Sequence, residues 1–146
     1  MNIRRFVPCV FLAGLFGLVG CADGPKMAEV TGTVTLKGIP LDKILVEFWP
    51  EGNGPRSMGV TDAQGLFTLT TDDGKRKGAA VGPHKVVLRD AGVLGDEFLG
   101  RVGENVDMTK GKKPRLSNVY DDPHKTPVRK EVTAGKCIID LDLQTP

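Results

Sequence analysis

The chain has 146 residues, with 20 basic and 18 acidic side chains and a formal net charge of +2. The first 20 residues contain two arginines and no acidic residue, so the remainder has no net charge. Nucleic-acid binding needs a concentrated positive field, which this balance does not supply. The charge therefore excludes a nucleic-acid partner, and the length indicates one ordinary domain.

The N-terminus has the pattern of a secretory signal. Arg4 and Arg5 precede an uncharged apolar run at 6–19, and a charged start before a short apolar core is typical of such signals. These fourteen residues would span about 21 Å as a helix, short of the ~30 Å hydrocarbon core of a bilayer. A retained membrane-spanning helix is therefore the weaker interpretation.

The signal ends at 18–21 (LVGC), which resembles the lipobox of bacterial lipoproteins. The resemblance implies cleavage between Gly20 and Cys21 and attachment of a diacylglyceryl group to the Cys21 thiol. We expect residues 1–20 to be the signal peptide and residues 21–28 a lipidated tether. The protein would then lie on the cell membrane or outer membrane, facing the periplasm or the exterior. An ordinary cleaved signal is the alternative.

Cysteine usage predicts no disulfide in the mature domain. Cys9 leaves with the signal and Cys21 carries the lipid, so Cys137 has no partner. A Cys21–Cys137 bridge is the alternative if lipidation fails. Cys137 lies on the predicted inward face of the last strand, where a buried thiol is a poor nucleophile.

Residues 29–143 carry the period-two alternation of half-buried β-strands. Glycine- and proline-rich turns separate the alternating runs. We predict seven short strands packed as an antiparallel β-sandwich, with no helix of core length. In the second strand, Glu47 and Trp49 are predicted to face outward. The predicted inward side chains are Val30, Gly32, Val34, Leu36, Ile44, Val46, Phe48, Phe67, Leu69, Val86, Leu88, Cys137, Ile139, Leu141 and Leu143.

The strongest hairpin signal lies at 60–67. Asp62 suits the first position of a type I turn, because its carboxylate accepts hydrogen bonds from nearby backbone N–H groups. Gly65 suits the left-handed residue that follows and completes a G1-bulge hairpin. A calcium loop is the alternative, but one carboxylate falls short of the several oxygens that Ca²⁺ requires.

Several of these turn and core positions together resemble the transthyretin-like, carboxypeptidase-regulatory-like domain found in small bacterial lipoproteins. The resemblance implies a prealbumin-like or immunoglobulin-like Greek-key sandwich. Its motifs are specific for a fold and weak for an activity, because each is a turn or core position. They cover roughly 29–90 and 116–143 and include Gly32-Thr33-Val34, Gly38, Pro40-Leu41, Val46-Glu47-Phe48, Thr61-Asp62, Gly65, Phe67, Gly82-Pro83-His84-Lys85-Val86, Tyr120, Asp122-Pro123, Thr126-Pro127 and Val132.

Between residues 91 and 115 the alternation is lost, and five glycines are scattered among apolar side chains. Loops of this length in compact domains are usually functional or disordered. The basic residues at its end would suit anionic lipid or polysaccharide, and a solvated loop is the alternative. The predicted ligand or partner residues in this loop are Phe98, Arg101, Lys110, Lys112, Lys113 and Arg115.

Candidate catalytic and metal-ligating residues are few. His84 and His124 each adjoin a lysine, whose charge opposes a bound cation, and no matching cysteine or carboxylate spacing completes a zinc site. We predict that His84 is a strand-entry residue. A further set of aspartates would form a cation-binding patch or, as the sequence favours, cap turns: Asp121, Asp122, Asp140 and Asp142.

These patterns favour a non-enzymatic, lipid-anchored binding or accessory module of the cell envelope, with no cofactor and no metal. Its expected partners are the membrane, through the N-terminal lipid, and an envelope protein or polysaccharide. One alternative is a structural protein that assembles through sheet edges or the 91–115 loop. Another is a hydrolase with a pocket over His84 or His124.

Overall fold

A computed structural model of the chain describes residues 24–93 and 113–144. Within those residues the fold is all-β and contains no helix, as the alternation predicts. The strands are β1 (Met27–Leu36), β2 (Ile39–Pro40), β3 (Ile44–Pro50), β4 (Ser57–Val60), β5 (Leu66–Thr68), β6 (Thr70–Thr71), β7 (Ala79–Ala80), β8 (Gly82–Asp90), β9 (Arg129–Val132), β10 (Lys136–Ile138) and β11 (Leu141–Leu143).

The strands form two sheets. The first sheet is organised around β1, which pairs with β10 and β11 on one side and with β2, β5 and β7 on the other. The second sheet has the order β6-β4-β3-β8-β9. Most pairs are antiparallel, as predicted, but β1 pairs in parallel with β10 and with β11. The prediction of a purely antiparallel sandwich was wrong at these two pairs.

The predicted count of seven strands differs from the eleven segments that the structure contains. Two of the predicted runs are each broken in two, at Leu69 and at 139–140, and the two-residue strands β2 and β7 are additional. The break at Leu69 has a physical reason. β5 pairs with β1 in the first sheet and β6 pairs with β4 in the second, so the chain crosses between sheets there.

The core lies between the two sheets and confirms the predicted inward faces. Val30 and Val34 of β1 and Val46 and Phe48 of β3 are fully buried, and the rings of Phe48 and Phe67 lie 6.4 Å apart across the core. The alternation in the sequence predicts the buried face because successive side chains of a strand point to opposite faces. Leu36 is half-buried and packs against the same cluster.

Glu47 departs from the expected pattern. It is on the outward-facing set of β3, as predicted, yet its side chain is only 3% exposed. Arg56 lies 3.1 Å from one carboxylate oxygen, and Arg89 lies 3.6 Å from the other. A carboxylate removed from water needs such charged neighbours. The ion cluster on the outer face of the second sheet therefore replaces solvent around Glu47.

The turn predicted within 60–67 is confirmed, but the predicted hairpin was wrong, because β4 pairs with β3 and β6 in the second sheet whereas β5 pairs with β1 in the first. Gly65 donates its N–H to the Asp62 carbonyl at 2.9 Å and adopts a φ of +74°. One Asp62 carboxylate oxygen accepts the backbone N–H groups of Gln64 and Leu66, each at 2.9 Å. Both carboxylate bonds are local turn bonds, so the turn interpretation holds and nothing in this turn requires Ca²⁺.

Strand directions define two ends of the sandwich. The N-terminal end holds Lys26, whose carbonyl accepts the N–H of Val81 at 2.8 Å. β1 begins there at Met27, two residues inside the predicted tether at 21–28. At the distal end, Ile44 pairs with Asp90, and Leu41 donates to the Val34 carbonyl at 3.0 Å. Ten residues of β1 separate the ends, which corresponds to about 30 Å.

Candidate functional site

A cleft opens at the distal end of the sandwich. It has a volume of about 470 Å³, within the range of ordinary ligand pockets. The end of β8 and the chain from residue 113 onward form its walls, so the cleft lies between the described residues that flank 94–112 in the sequence. Its lining is mostly charged and consists of Asp42, Lys43, Asp90, Gly92, Val93, Lys113 and Arg115.

Arg115 is the central side chain of this distal cleft. Its Nε and Nη2 atoms donate to the two carboxylate oxygens of Asp90 at 2.9 and 2.7 Å, a bidentate pair. Nη1 donates to the Asp42 carboxylate at 2.7 Å, and Nη2 to the Asp42 carbonyl at 2.6 Å. The Arg115 backbone N–H also donates to Asp90 at 2.8 Å. The guanidinium therefore ties the β2–β3 connection, the end of β8 and the returning chain together.

Burial and pairing set the charge state of this cluster. The Asp90 side chain is only 1% exposed. Burial alone would raise the pKa of Asp90, but the hydrogen bonds from Arg115 outweigh it, so the pKa lies below its usual value. The side-chain hydrogen bond from Arg115 likewise lowers the pKa of Asp42. Asp90 is thus held as a carboxylate at neutral pH and is unsuited to act as a general acid there.

Gly92 is a glycine because the cluster leaves no room for a side chain. A Cβ at this position would lie 2.9 Å from Nη2 of Arg115 and 3.1 Å from a carboxylate oxygen of Asp90. The Gly92 N–H donates to the same Asp90 oxygen at 3.1 Å. The turn after β8 is therefore shaped around the ion pair.

The predicted ligand residues separate into three groups. Arg115 is committed to intramolecular pairs with Asp90 and Asp42, while Lys113 lines the distal cleft. The other four loop residues lie outside the described residues, as do the predicted processing and lipidation residues: Phe98, Arg101, Lys110, Lys112, Gly20 and Cys21. The predictions made for these six residues stay predictions.

The two histidines occupy different environments. His84 is fully buried on the inner face of β8, 5.6 Å from the Phe48 ring between centroids, and its Nδ1 contacts the Gly82 carbonyl at 2.9 Å. Its place at the start of β8 confirms the strand-entry prediction. His124 is exposed in the turn that follows Asp122.

Cys137 is buried and free, as predicted. Its Sγ lies 3.1 Å from the Thr133 carbonyl and 3.2 Å from the Thr133 hydroxyl. These contacts and its 8% exposure place the thiol in the core rather than in the distal cleft.

Three of the four aspartates near the C-terminus cap turns and strands, which confirms for Asp122, Asp140 and Asp142 the interpretation that the sequence favours. Asp122 accepts the N–H of His124 at 2.7 Å. Asp140 accepts both the N–H and the hydroxyl of Thr33, at 2.9 and 2.6 Å, and Asp142 accepts the Thr35 hydroxyl at 2.7 Å. Among the described residues no three metal-ligating side chains come together.

Sequence reasoning missed the Arg115 cluster because its members are far apart in the chain. Asp42 lies 73 residues and Asp90 25 residues before Arg115. Arg115 stands beside several lysines in the sequence, which suggested an exposed basic surface. Only the tertiary fold brings the two carboxylates to it.

No protein-family model, curated protein or solved structure matches this chain. Within 24–93 and 113–144, the structure contains no helix of the length and apolarity needed to cross a bilayer.

Proposed function

We propose that the protein is a lipid-anchored, non-enzymatic binding module of the cell envelope, built on a transthyretin-like Greek-key sandwich. The observation that carries the proposal is the placement of the distal cleft. The N-terminal residues enter at one end of β1, whereas the Arg115 cluster lies at the other end, ten strand residues away. A domain anchored through residue 21 would present the cleft and the 94–112 segment away from the bilayer.

The short tether supports this orientation. With Cys21 acylated, residues 22–26 precede β1, and these five residues reach at most about 18 Å when extended. Because the mature chain has no net charge, attachment depends on the lipid, and two or three acyl chains suffice for firm binding. The N-terminal end of the sandwich then lies close to the membrane surface.

The chemistry of the distal cleft favours binding over catalysis. Its carboxylates are paired with a guanidinium that stays charged at all accessible pH values. A general acid or base needs a pKa near the working pH. Pairing with Arg115 lowers the pKa values of Asp42 and Asp90, which takes them further from neutral pH. Assembly through sheet edges is the weaker alternative, since the edge strands β6 and β9 have only two and four residues, and β9 is mostly charged.

The anchoring part of the proposal is tested by membrane partition of the full chain. Cys21→Ala should leave the precursor unprocessed and without diacylglycerol, which metabolic labelling with palmitate and gel mobility detect. Cys9→Ala is the matched control, because that cysteine lies in the signal and should change neither processing nor partition. Equal palmitate labelling of the Cys21→Ala variant and the native chain would refute lipidation at this residue.

The orientation is tested on vesicles that carry a headgroup quencher. Single cysteines at exposed positions would each carry a fluorophore. They are Lys136→Cys at the N-terminal end and Gln64→Cys in the turn at 62–65 at the distal end. We expect stronger quenching at Lys136 than at Gln64, since β1 separates the two ends by about 30 Å. Equal or reversed quenching contradicts presentation of the distal cleft away from the bilayer.

A further inference from the structure

A second groove, which the sequence does not indicate, lies on the outer face of the second sheet. Its volume is about 370 Å³. The floor is the end of β3 together with the neighbouring part of β8, where Trp49 pairs with Lys85. The wall is the turn at 121–124. The lining residues are Trp49, Pro50, Glu51, Lys85, Pro123 and His124.

Three contacts hold residues that line the Trp49 groove in place. The Arg56 guanidinium lies 5.0 Å from the Trp49 ring centroid, a cation–π contact that fixes the indole. The Glu51 N–H donates to the Pro83 carbonyl at 2.9 Å, and the Asp122 carboxylate accepts the N–H of His124. A groove whose walls do not have to order on binding loses little affinity to conformational entropy.

The charged side chains that line the groove determine whether it attracts an anionic or a cationic ligand. Glu51 is neutralised by Arg129, whose Nε lies 3.2 Å from its carboxylate. Lys85 also lines the groove, and it forms no ion pair with any residue in the part of the chain that the structure describes. An ammonium group without a counter-charge repels a cation and attracts a carboxylate or other anion. The groove therefore combines an aromatic wall with one positive charge, that of Lys85, which no described residue pairs.

We propose that the Trp49 groove binds an acidic saccharide, in which a uronic-acid ring meets the indole and its carboxylate meets Lys85. The face of an aromatic ring is electron-rich, and the C–H groups on one face of a sugar ring carry the complementary partial charge. The ammonium of Lys85 forms a charge-assisted hydrogen bond with the carboxylate. Glu51 and His124 supply polar atoms at the rim for the ring hydroxyls.

This inference deepens the proposed function by naming a ligand class for the binding module, and it does not depend on the lipid. The test uses the full chain, lipidated and purified in detergent micelles, titrated with oligogalacturonate in a calorimeter. The fully methyl-esterified oligomer removes the negative charge and retains the rings. Poly-glutamate retains the charge and lacks the rings.

We expect oligogalacturonate to bind and both comparison polymers to bind at least about tenfold more weakly. Lys85→Gln and Trp49→Leu should each weaken binding by about tenfold. Lys75→Gln is the control for loss of one positive charge, since Lys75 is 80% exposed and does not line the groove, and it should leave binding unchanged. Far-ultraviolet circular dichroism checks that each variant is folded, and Lys85→Gln keeps the test decisive if Trp49→Leu fails to fold.

Three results would overturn the proposal. They are no binding of oligogalacturonate, equal binding of the esterified oligomer, and equal binding of poly-glutamate with no effect of Trp49→Leu. The last would show an acidic-peptide site that recognises charge alone. Each of these outcomes leaves the palmitate-labelling result at Cys21 unaffected, so failure of the groove and failure of the anchor are distinguishable.

Discussion

His84 places an imidazole inside an apolar core, where only one of its nitrogens has a partner among the described residues. Burial lowers the pKa of His84 below its ordinary value of 6.5, against weaker opposing contributions from the Gly82 carbonyl and from Glu131 and Glu51. The folded protein therefore holds this ring neutral. Unfolding exposes it to water, where it takes up a proton as the pH falls below 6.5.

The sign of this linkage gives a prediction. A folded-state pKa below the unfolded value means that stability is fully present above pH 6.5 and is lost as the pH falls through that value. The slope reaches at most about 1.4 kcal/mol per pH unit for one proton. Urea unfolding between pH ~8 and ~5 should show this slope in the native chain. His84→Gln should flatten it, and His124→Gln, at an exposed position, should leave it in place.

Individual residues show where sequence reasoning stops. The inward position of Cys137 follows from local alternation and was correctly predicted. The burial of Glu47 depends on Arg56, which precedes β4, and on Arg89 of β8. Nothing within a few residues of Glu47 reports those partners, so the local pattern could only place it on the outer face.

At the scale of elements, local chemistry predicted the turn at 62–65 well because its determinants, Asp62 and Gly65, lie within the turn itself. It could not report that β4 and β5 join different sheets. The parallel pairing of β1 with β10 and β11 could not be predicted, because the paired strands lie far apart in the sequence. A strand shows the same period-two alternation in parallel and antiparallel pairs, so alternation alone does not report the direction of its neighbour.

The turn at 62–65 also supports a prediction about its glycine. Gly65 and Gly38 have similar left-handed φ values, +74° and +77°. A Cβ on Gly65 would lie 2.7 Å from the Val34 carbonyl oxygen, whereas one on Gly38 meets nothing within 4 Å. Gly38→Ala should therefore cost about 1 kcal/mol of unfolding free energy. Gly65→Ala should cost about 3 kcal/mol, because β1 or the turn must also move.

Urea titration of the two alanine variants measures this difference directly. Equal losses would mean that the turn at 62–65 adjusts freely and that the contact with β1 does not constrain it. A larger loss for Gly65→Ala would instead show that this turn packs tightly against β1.

At the scale of the whole molecule, the described residues already form a continuous core, which draws on both sheets and includes Leu116 and Tyr120 beyond the 94–112 segment. The Arg115 cluster holds the two chain ends of that segment side by side. The sequence predicted that residues 91–115 would be one long loop. The structure shows that 91–93 and 113–115 belong to the ordered framework of the domain.

This arrangement predicts that residues 94–112 can be removed without loss of stability. Joining Val93 to Lys113 through about four glycine and serine residues should raise the unfolding free energy by about 1 kcal/mol, because a shorter loop costs less entropy to close. Arg115→Met in the full-length chain should lower it by about 3 kcal/mol, since the buried Asp90 carboxylate would lose its partner. The free energy of unfolding of both variants, measured by calorimetry or urea titration, separates the contribution of the Arg115 cluster from that of residues 94–112. If the deletion proves as destabilising as Arg115→Met, then residues 94–112 contribute to the stability of the fold. Their role would then not be limited to binding.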